Sequence, residues 1–253
     1  MYIKSQRIDE IKNYIYLHKT VTLPQLCENF NISMSTLRRD IDEVLHDHNF
    51  KKIYGGITVQ QKGLLPFDVR NIANRAAKER IASEAAQFVE DGDIIFIDSG
   101  TTTLHMFKAI KDRENITILT NNLDIIIQAI PYENIKIISL SGILNRYTLS
   151  FSGAESAKVL ENYNISKAFM ATTGFSIKIG VTNSSPLETA LKQYVVQRSR
   201  LTYLLADSSK NGIIALMTYC TLDEIDALIT DAPPSDSVCQ YMEQHGSQII
   251  VAR

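Results

Sequence analysis

The residues best suited to chemistry sit where an apolar run, DIIFI at 93–97, gives way to Asp98-Ser99-Gly100-Thr101-Thr102-Thr103. An acid ends the run, a glycine lets the backbone approach a ligand closely, and hydroxyls and amides follow at a helix start. That order suits an anion, with the helix dipole adding to the attraction. It matches neither GxxxxGK[ST] nor GxGxxG, so the common nucleotide loops are excluded. A turn with a helix cap is the bland alternative. Thr120-Asn121-Asn122 ends a second apolar run. Asn121 can bind ligand hydroxyls, and Asn122 can do the same or cap the next helix. In SGILNR, Ser141-Gly142 can present amides and Arg146 can clamp a phosphate, or remain a solvated arginine. Asp207-Ser208-Ser209-Lys210 offers an acid, two hydroxyls and a cation to a polyol phosphate, or caps a loop. Glu188 and Lys192 lie four residues apart on one predicted helix. As a surface ion pair they would contribute about 0.2–0.5 kcal/mol.

A second cluster lies near the N-terminus. In SMSTLRRD, Leu37, Ile41 and Val44 mark the inner face of a helix capped by Ser33, which turns Ser35, Thr36 and Arg39 outward with Arg38 on the flank. Short hydroxyls and an arginine suit base edges, and a second arginine suits phosphate. KKIYGGITV places Gly55-Gly56 between two β-prone runs, a hairpin in which Lys51, Lys52 and Tyr54 can touch a DNA backbone. Residues 1–60 hold eight Lys/Arg against seven Asp/Glu, so net charge alone does not favour DNA. The order of helix, cap, tight turn, STLRRD and Gly-Gly hairpin does.

Around these clusters, Ile8, Ile11 and Ile15 predict a first helix behind Ser5, and Thr22, Pro24, Leu23, Leu26, Cys27 and Phe30 a second. Two helices joined by NIS and followed by a hairpin make a winged helix-turn-helix over 1–60. Residues 61–74, with Gly63 and Pro66, read as a linker, and an amphipathic helix over 75–89 opens a domain at 75–253. There the pattern alternates. Strands are predicted at 93–98, 116–120, 135–139, 167–171, 201–206, 226–230 and 248–252. Helices are predicted at 103–111, 123–130, 153–162, 186–198 and 235–245. Such alternation specifies a mainly parallel α/β sheet.

The 253 residues carry a formal charge of -2 and are 45% hydrophobic, an ordinary globular balance that does not discriminate between classes of partner. The polar, periodic N-terminus has no secretion signal, and no apolar run is long enough to cross a bilayer, so a cytoplasmic protein without membrane contact is expected. Cys27, Cys220 and Cys239 lack disulfide or metal spacing and are expected to be buried packing. The five histidines have no ligand partners at useful spacing; no metal, cofactor or catalytic residue is assigned.

ISMSTLRRDIDEV with KKIYGGI, followed in order by DGDIIFIDSGTTT, ILTNNLDI, SGILNRYTLSFSG, KAFMATTG, LADSSKNG and LDEIDALITD, resembles the DeoR family of bacterial transcriptional regulators along nearly the whole chain. Two positions depart from its pattern: Ser141 stands where the family usually has a first glycine, and Asn211 where it usually has phenylalanine. The resemblance implies a winged helix-turn-helix followed by an effector domain resembling ribose-5-phosphate isomerase, with phosphorylated sugars or related metabolites as ligands. It also implies that Lys192 faces the effector. The expectation is a repressor-type regulator of a sugar or related metabolite operon, binding a double-stranded DNA operator as a homo-oligomer, with ligand relieving repression. The alternative is a sugar-phosphate isomerase-like enzyme carrying an accessory module; Asp98, Glu188, Asp207, Lys192 and Lys210 supply the inventory, but an isomerase has no use for a winged helix-turn-helix. A protein-interaction module leaves the cradle unexplained.

Overall fold

The computed structural model describes residues 4–60 and 66–253, which fall into two compact units divided between Ala73 and Asn74. In the first unit, α1 (Lys4–His18), β1 (Thr20–Thr22), α2 (Leu23–Phe30), α3 (Met34–Val44), β2 (Phe50–Ile53), β3 (Gly56–Val59) and α4 (Phe67–Ile72) follow in order. Ser5 lies inside α1 rather than capping it. Thr22 caps α2 in a reciprocal box: its hydroxyl accepts from the Gln25 amide, and Gln25 Oε1 accepts from the Thr22 amide at 2.9 Å. Asn31 ends α2 in the left-handed region (φ 49°), and Ser33 caps α3 by accepting from the Thr36 amide at 3.2 Å.

Ile11 and Ile15 of α1, Leu26 of α2, and Leu37, Ile41 and Val44 of α3 close a core with Phe50, Ile57 and Val69. One buried charge crosses it. Asp40 is 1% exposed and accepts from Arg7 Nε at 2.7 Å and Nη2 at 3.0 Å, a two-point clamp of α1 on α3. Strands β2 and β3 form the expected hairpin, and β1 adds to its other side in the order β1-β3-β2. Gly56 is required there, because a β-carbon would lie 2.3 Å from the Val21 carbonyl oxygen. The stretch read as a linker contains α4, whose Val69 joins this core; Gly63 and the rest of 61–65 lie outside the described residues.

The second unit opens with α5 (Arg75–Ala86), three residues shorter than its pattern suggested. Then come β4 (Ile94–Ile97), a 3-10 turn at Thr103–His105, α6 (Met106–Ile110), β5 (Thr117–Thr120), α7 (Leu123–Ala129), β6 (Lys136–Ser139), β7 (Ile143–Asn145), β8 (Ser150–Ser152) and α8 (Ala154–Leu160). The chain continues through β9 (Lys167–Ala171), β10 (Gly174–Ser176), β11 (Gly180–Asn183), α9 (Pro186–Arg198), β12 (Leu201–Leu205), β13 (Met217–Cys220), β14 (Ala227–Thr230), α10 (Asp236–Gln244) and β15 (Gln248–Val251).

All seven expected strands form one parallel sheet, ordered β15-β14-β12-β9-β4-β5-β6. Alternate residues face opposite layers. Phe96, Leu119, Ala168, Met170, Leu204 and Leu228 pack with Leu191 and Val195 of α9 and Met242 of α10. On strands β9 and β12, Phe169 and Tyr203 stack at 5.2 Å between ring centres. Two small additions decorate the sheet: the antiparallel β10-β11-β13 and the hairpin β7-β8. The chain runs outward from β4 through β5 to β6, then returns to β9 on the other side of β4. The gap between β4 and β9 is therefore the switch point, where open α/β sheets hold ligands beyond the strands' carboxyl ends. Cys220 is buried as expected, whereas Cys27 and Cys239 are only half-buried.

Candidate functional site

On α3, Ser35, Arg38 and Arg39 are exposed and Thr36 is half-buried, as the 3.6-residue period requires. Ser33 is exposed but engaged: its hydroxyl caps the helix and lies 2.9 Å from Ser35 Oγ and 3.0 Å from Thr36 Oγ1. Lys51 and Lys52 are exposed on β2, and Tyr54 stands fully in solvent at the hairpin tip. The face offers two arginines, two lysines and short hydroxyls on a helix held rigid by the Arg7–Asp40 clamp.

At the switch point, Asp98 ends β4 with no exposure. Its Oδ1 accepts from the Ser99 amide at 2.9 Å, and its Oδ2 accepts from the Ala171 amide at 2.9 Å and from Lys192 Nζ. Lys192, on α9, also donates to the Ala171 carbonyl at 3.1 Å and lies 5.4 Å from the centre of the Tyr219 ring. Tyr219 donates its own hydroxyl to that carbonyl at 3.0 Å, and burial pushes this phenol well above the usual tyrosine range. The surface Glu188–Lys192 pair is therefore absent: both side chains are buried. Glu188 accepts from Ser150 Oγ at 2.6 Å and from Asn183 Nδ2 at 3.4 Å instead.

Gly100 passes so close to β9 that a β-carbon would lie 2.2 Å from Ala171 Cβ. Thr103 is wholly buried, and its hydroxyl donates to the Asp98 carbonyl at 2.6 Å while accepting from the Gly100 amide at 3.0 Å. It closes the loop from within. The helix expected at 103–111 is a 3-10 turn followed by five α residues, too short for a strong dipole, so the cradle's donors are local. Among the described residues, neither the amides nor the hydroxyls of Thr101 and Thr102 have a partner, and both residues are over nine-tenths buried. The loop leaves these groups unpaired.

Asn121 joins the cradle. Its Nδ2 donates to Ser99 Oγ and to the Phe151 carbonyl, each at 3.2 Å, while its Oδ1 is buried without a partner. Asn122 takes the capping role, its Oδ1 accepting from the Asp124 and Ile125 amides. Asp207, 1% exposed beyond β12, places one carboxylate oxygen against Ser209 and Asn74 and leaves Oδ2 buried without a partner. Ser208 is exposed, and its amide donates to Asp231 at 2.6 Å; Lys210 is half-buried and forms no ion pair among the described residues. Ser141 and Gly142 are exposed, and Arg146 lies in the β7–β8 turn, with no bond among the described residues tying any of the three to the cradle. Gly142 (φ 138°) lies against Ser152, so it shapes the hairpin.

The structure thus joins Asp98, Ser99, Gly100, Asn121 and Lys192 in one bonded cluster. Sequence reasoning missed Ala171, whose amide and carbonyl bind the ion pair, and also Tyr219, Ser150 and Asn183. KAFMATTG marked the segment containing Ala171 but gave no side-chain signal, because the contacts are made by backbone.

A winged helix-turn-helix with an exposed basic reading face, followed by an α/β unit with a donor-rich cradle at its switch point, defines a DNA-binding transcriptional regulator with a sensor domain. Family models described as the DeoR-like helix-turn-helix domain and the DeoR C terminal sensor domain match residues 7–62 and 73–232. The chain belongs to the DeoR family. It is 41% identical to the HTH-type transcriptional regulator IolR of Bacillus subtilis (strain 168), over 96% of this chain and 97% of that protein. It is 27% identical to the glycerol-3-phosphate regulon repressor of Escherichia coli (strain K12), over 97% and 98%. Among solved structures, ribose 5-phosphate isomerase A from Methanocaldococcus jannaschii matches with a TM-score of 0.42 and 18% identity, over 55% of each chain.

Proposed function

We propose that the chain represses genes of sugar or related metabolite use by binding double-stranded DNA as a homo-oligomer in the cytoplasm, and that a phosphorylated sugar-type metabolite releases it. The carrying observation is that the carboxyl edge of the parallel sheet carries unpartnered donors, at the switch point, together with unpartnered acceptors beyond β5 and β12. The amides and hydroxyls of Thr101 and Thr102 suit phosphate oxygens, while Asn121 Oδ1 and Asp207 Oδ2 suit sugar hydroxyls. That one relative is named for a glycerol-3-phosphate regulon agrees with a small phosphorylated ligand. On the DNA side, Arg39 and Ser35 would read bases in a major groove, Arg38 and the wing lysines would hold phosphates, and a second copy would occupy the next half-site.

Turnover by Asp98, Glu188 or Lys192 is disfavoured by how these three side chains are engaged. Asp98 already receives three donors, one of them Lys192, and Glu188 receives two. A general base must reach a substrate proton. The test is fluorescence anisotropy of the DNA upstream of this chain's gene against scrambled DNA. It is run at fixed salt because phosphate contacts make affinity steeply salt-dependent. Glycerol 3-phosphate, glucose 6-phosphate and ribose 5-phosphate are added in turn. Sequence-preferring binding that one of them weakens is expected. Failure of all three to bind the sensor, or consumption of one as substrate, refutes the ligand reading.

A further inference from the structure

Asn74 is the residue at which the chain enters the second unit. Only Ala73 and Asn74 separate α4 from α5. Ala73 is extended (φ −63°, ψ 128°) and Asn74 is left-handed (φ 54°, ψ 31°), a region that asparagine tolerates better than most residues. The Asn74 carboxamide does not cap α5. Its Nδ2 instead reaches across the sequence to Asp207 Oδ1 at 3.0 Å and Ser209 Oγ at 3.4 Å. Asp207 is the nearly inaccessible carboxylate whose other oxygen is buried and unpartnered. One carboxylate therefore holds the entry residue with one oxygen and offers the other to a donor.

We infer that Asn74 is the positioning residue through which occupancy at Asp207 is passed to the DNA-reading unit, which rests on the sensor-site reading above. A ligand hydroxyl arriving at Oδ2 draws the carboxylate toward itself and weakens its grip on Asn74. Only Ala73 lies between Asn74 and α4, so a change in the Asn74 dihedrals turns the chain that leads into it. That change is handed to α4 and the chain before it, in the manner of a short hinge. The ligand acts because its contact with Asp207 differs between the two states of this hydrogen bond.

The prediction can be read without any ligand. In the full chain, Asn74→Gly keeps the left-handed backbone and removes the amide, while Asn74→Asp sets two carboxylates against each other. The reciprocal exchange, Asn74→Asp with Asp207→Asn, restores the bond with its direction reversed by turning the amide nitrogen at 207 toward position 74, which gives up the bond that the same oxygen accepts from the Ser209 amide. Affinity for the chain's own upstream DNA is measured by anisotropy at fixed salt, with melting of the sensor unit recorded alongside. Both single variants at 74 are expected to shift DNA affinity by about fivefold or more, the lower end of ordinary coupling, and the exchange to bring it back. Unshifted affinity in both overturns the inference. So does a shift that the exchange leaves in place while its sensor melts normally, since the effect would then belong to local structure. A wild-type chain with no preference for that DNA would instead strike the regulator reading underneath.

Discussion

Gly100→Ala adds one methyl group at the tightest point of the cradle. Its β-carbon would lie 2.2 Å from Ala171 Cβ and 3.0 Å from Thr103 Oγ1. Ordinary contact begins at 3.4 Å, so strand β9 and the loop must part by about 1.2 Å. Neither neighbour can swing aside. Ala171 has no rotamer to change, its amide and carbonyl are bonded to Asp98 and Lys192, and Thr103 holds the loop by its hydroxyl. Overpacking of this kind costs about 1–3 kcal/mol, which lowers the melting point of a sensor unit this size by roughly 2–4 °C per kcal/mol. The larger loss is geometric, because the displacement moves the Thr101 and Thr102 amides, the donors of the proposed anion site. The assay pairs sensor melting with the response of operator affinity to the sugar phosphate. DNA binding should persist while the response disappears. Adding Ala171→Gly removes the clashing methyl and should return at least half of the lost stability. A Gly100→Ala protein with wild-type melting and response refutes the close-approach argument. So does a double variant no better than the single.

Three further outcomes can be measured, one at the cradle, one on α3 and one at His105. Lys192→Ala strands the Asp98 carboxylate without its cation and should cost about 3–5 kcal/mol in urea unfolding of the sensor unit; Asp98→Asn combined with Lys192→Met should cost less, because no charge is then left buried. Arg39→Ala should remove about 1–3 kcal/mol of discrimination between operator and scrambled DNA, with melting unchanged because the side chain is exposed; equal loss on both DNAs would make Arg39 a phosphate contact. His105 is half-buried, and desolvation holds its imidazole below the ordinary value of 6.5, although Glu79 opposes the shift. A group whose folded value is depressed favours folding above its unfolded value, and that stability falls away as pH drops through the folded one. Sensor melting should therefore decline below about pH 6.5, and His105→Gln should flatten that decline.

The parallel sheet was legible because strands covered on both faces are near-continuous apolar runs, such as IIFI at 94–97 and KAFMA at 167–171. The same pattern fails for β1, β7, β8, β10, β11 and β13. These are three or four residues of mixed polarity, and they exist because a partner strand is already in place. Helix α4 was hidden for a related reason: six residues after Pro66 are too few for a period to declare itself, and tertiary contact through Val69 decides the matter. At the site, the strand-end residues could be picked out by type, but their partners could not. Sequence spacing offers Lys192 a neighbour one turn away in Glu188, whereas the fold gives it Asp98 on another element.

That exchange of partners divides the polar residues of the cradle by role. Asp98, Thr103, Lys192 and Glu188, the residues that most look like reagents, are consumed in holding β4, β9, α9 and the β7–β8 hairpin together. What they hold is a small set of groups with unused capacity: the donors of Thr101 and Thr102, and the acceptor oxygens of Asn121 and Asp207. Buried polar groups left unsatisfied in a folded chain carry a free-energy cost. A ligand that supplies both an anion and hydroxyls would remove that cost at the two acceptor oxygens and give the threonine donors their partners. Inorganic phosphate would address only the threonines, and an unphosphorylated sugar only the acceptors. Each fragment alone should bind the sensor more weakly than the intact sugar phosphate, and equal binding by either would show that half of the cradle has been misassigned.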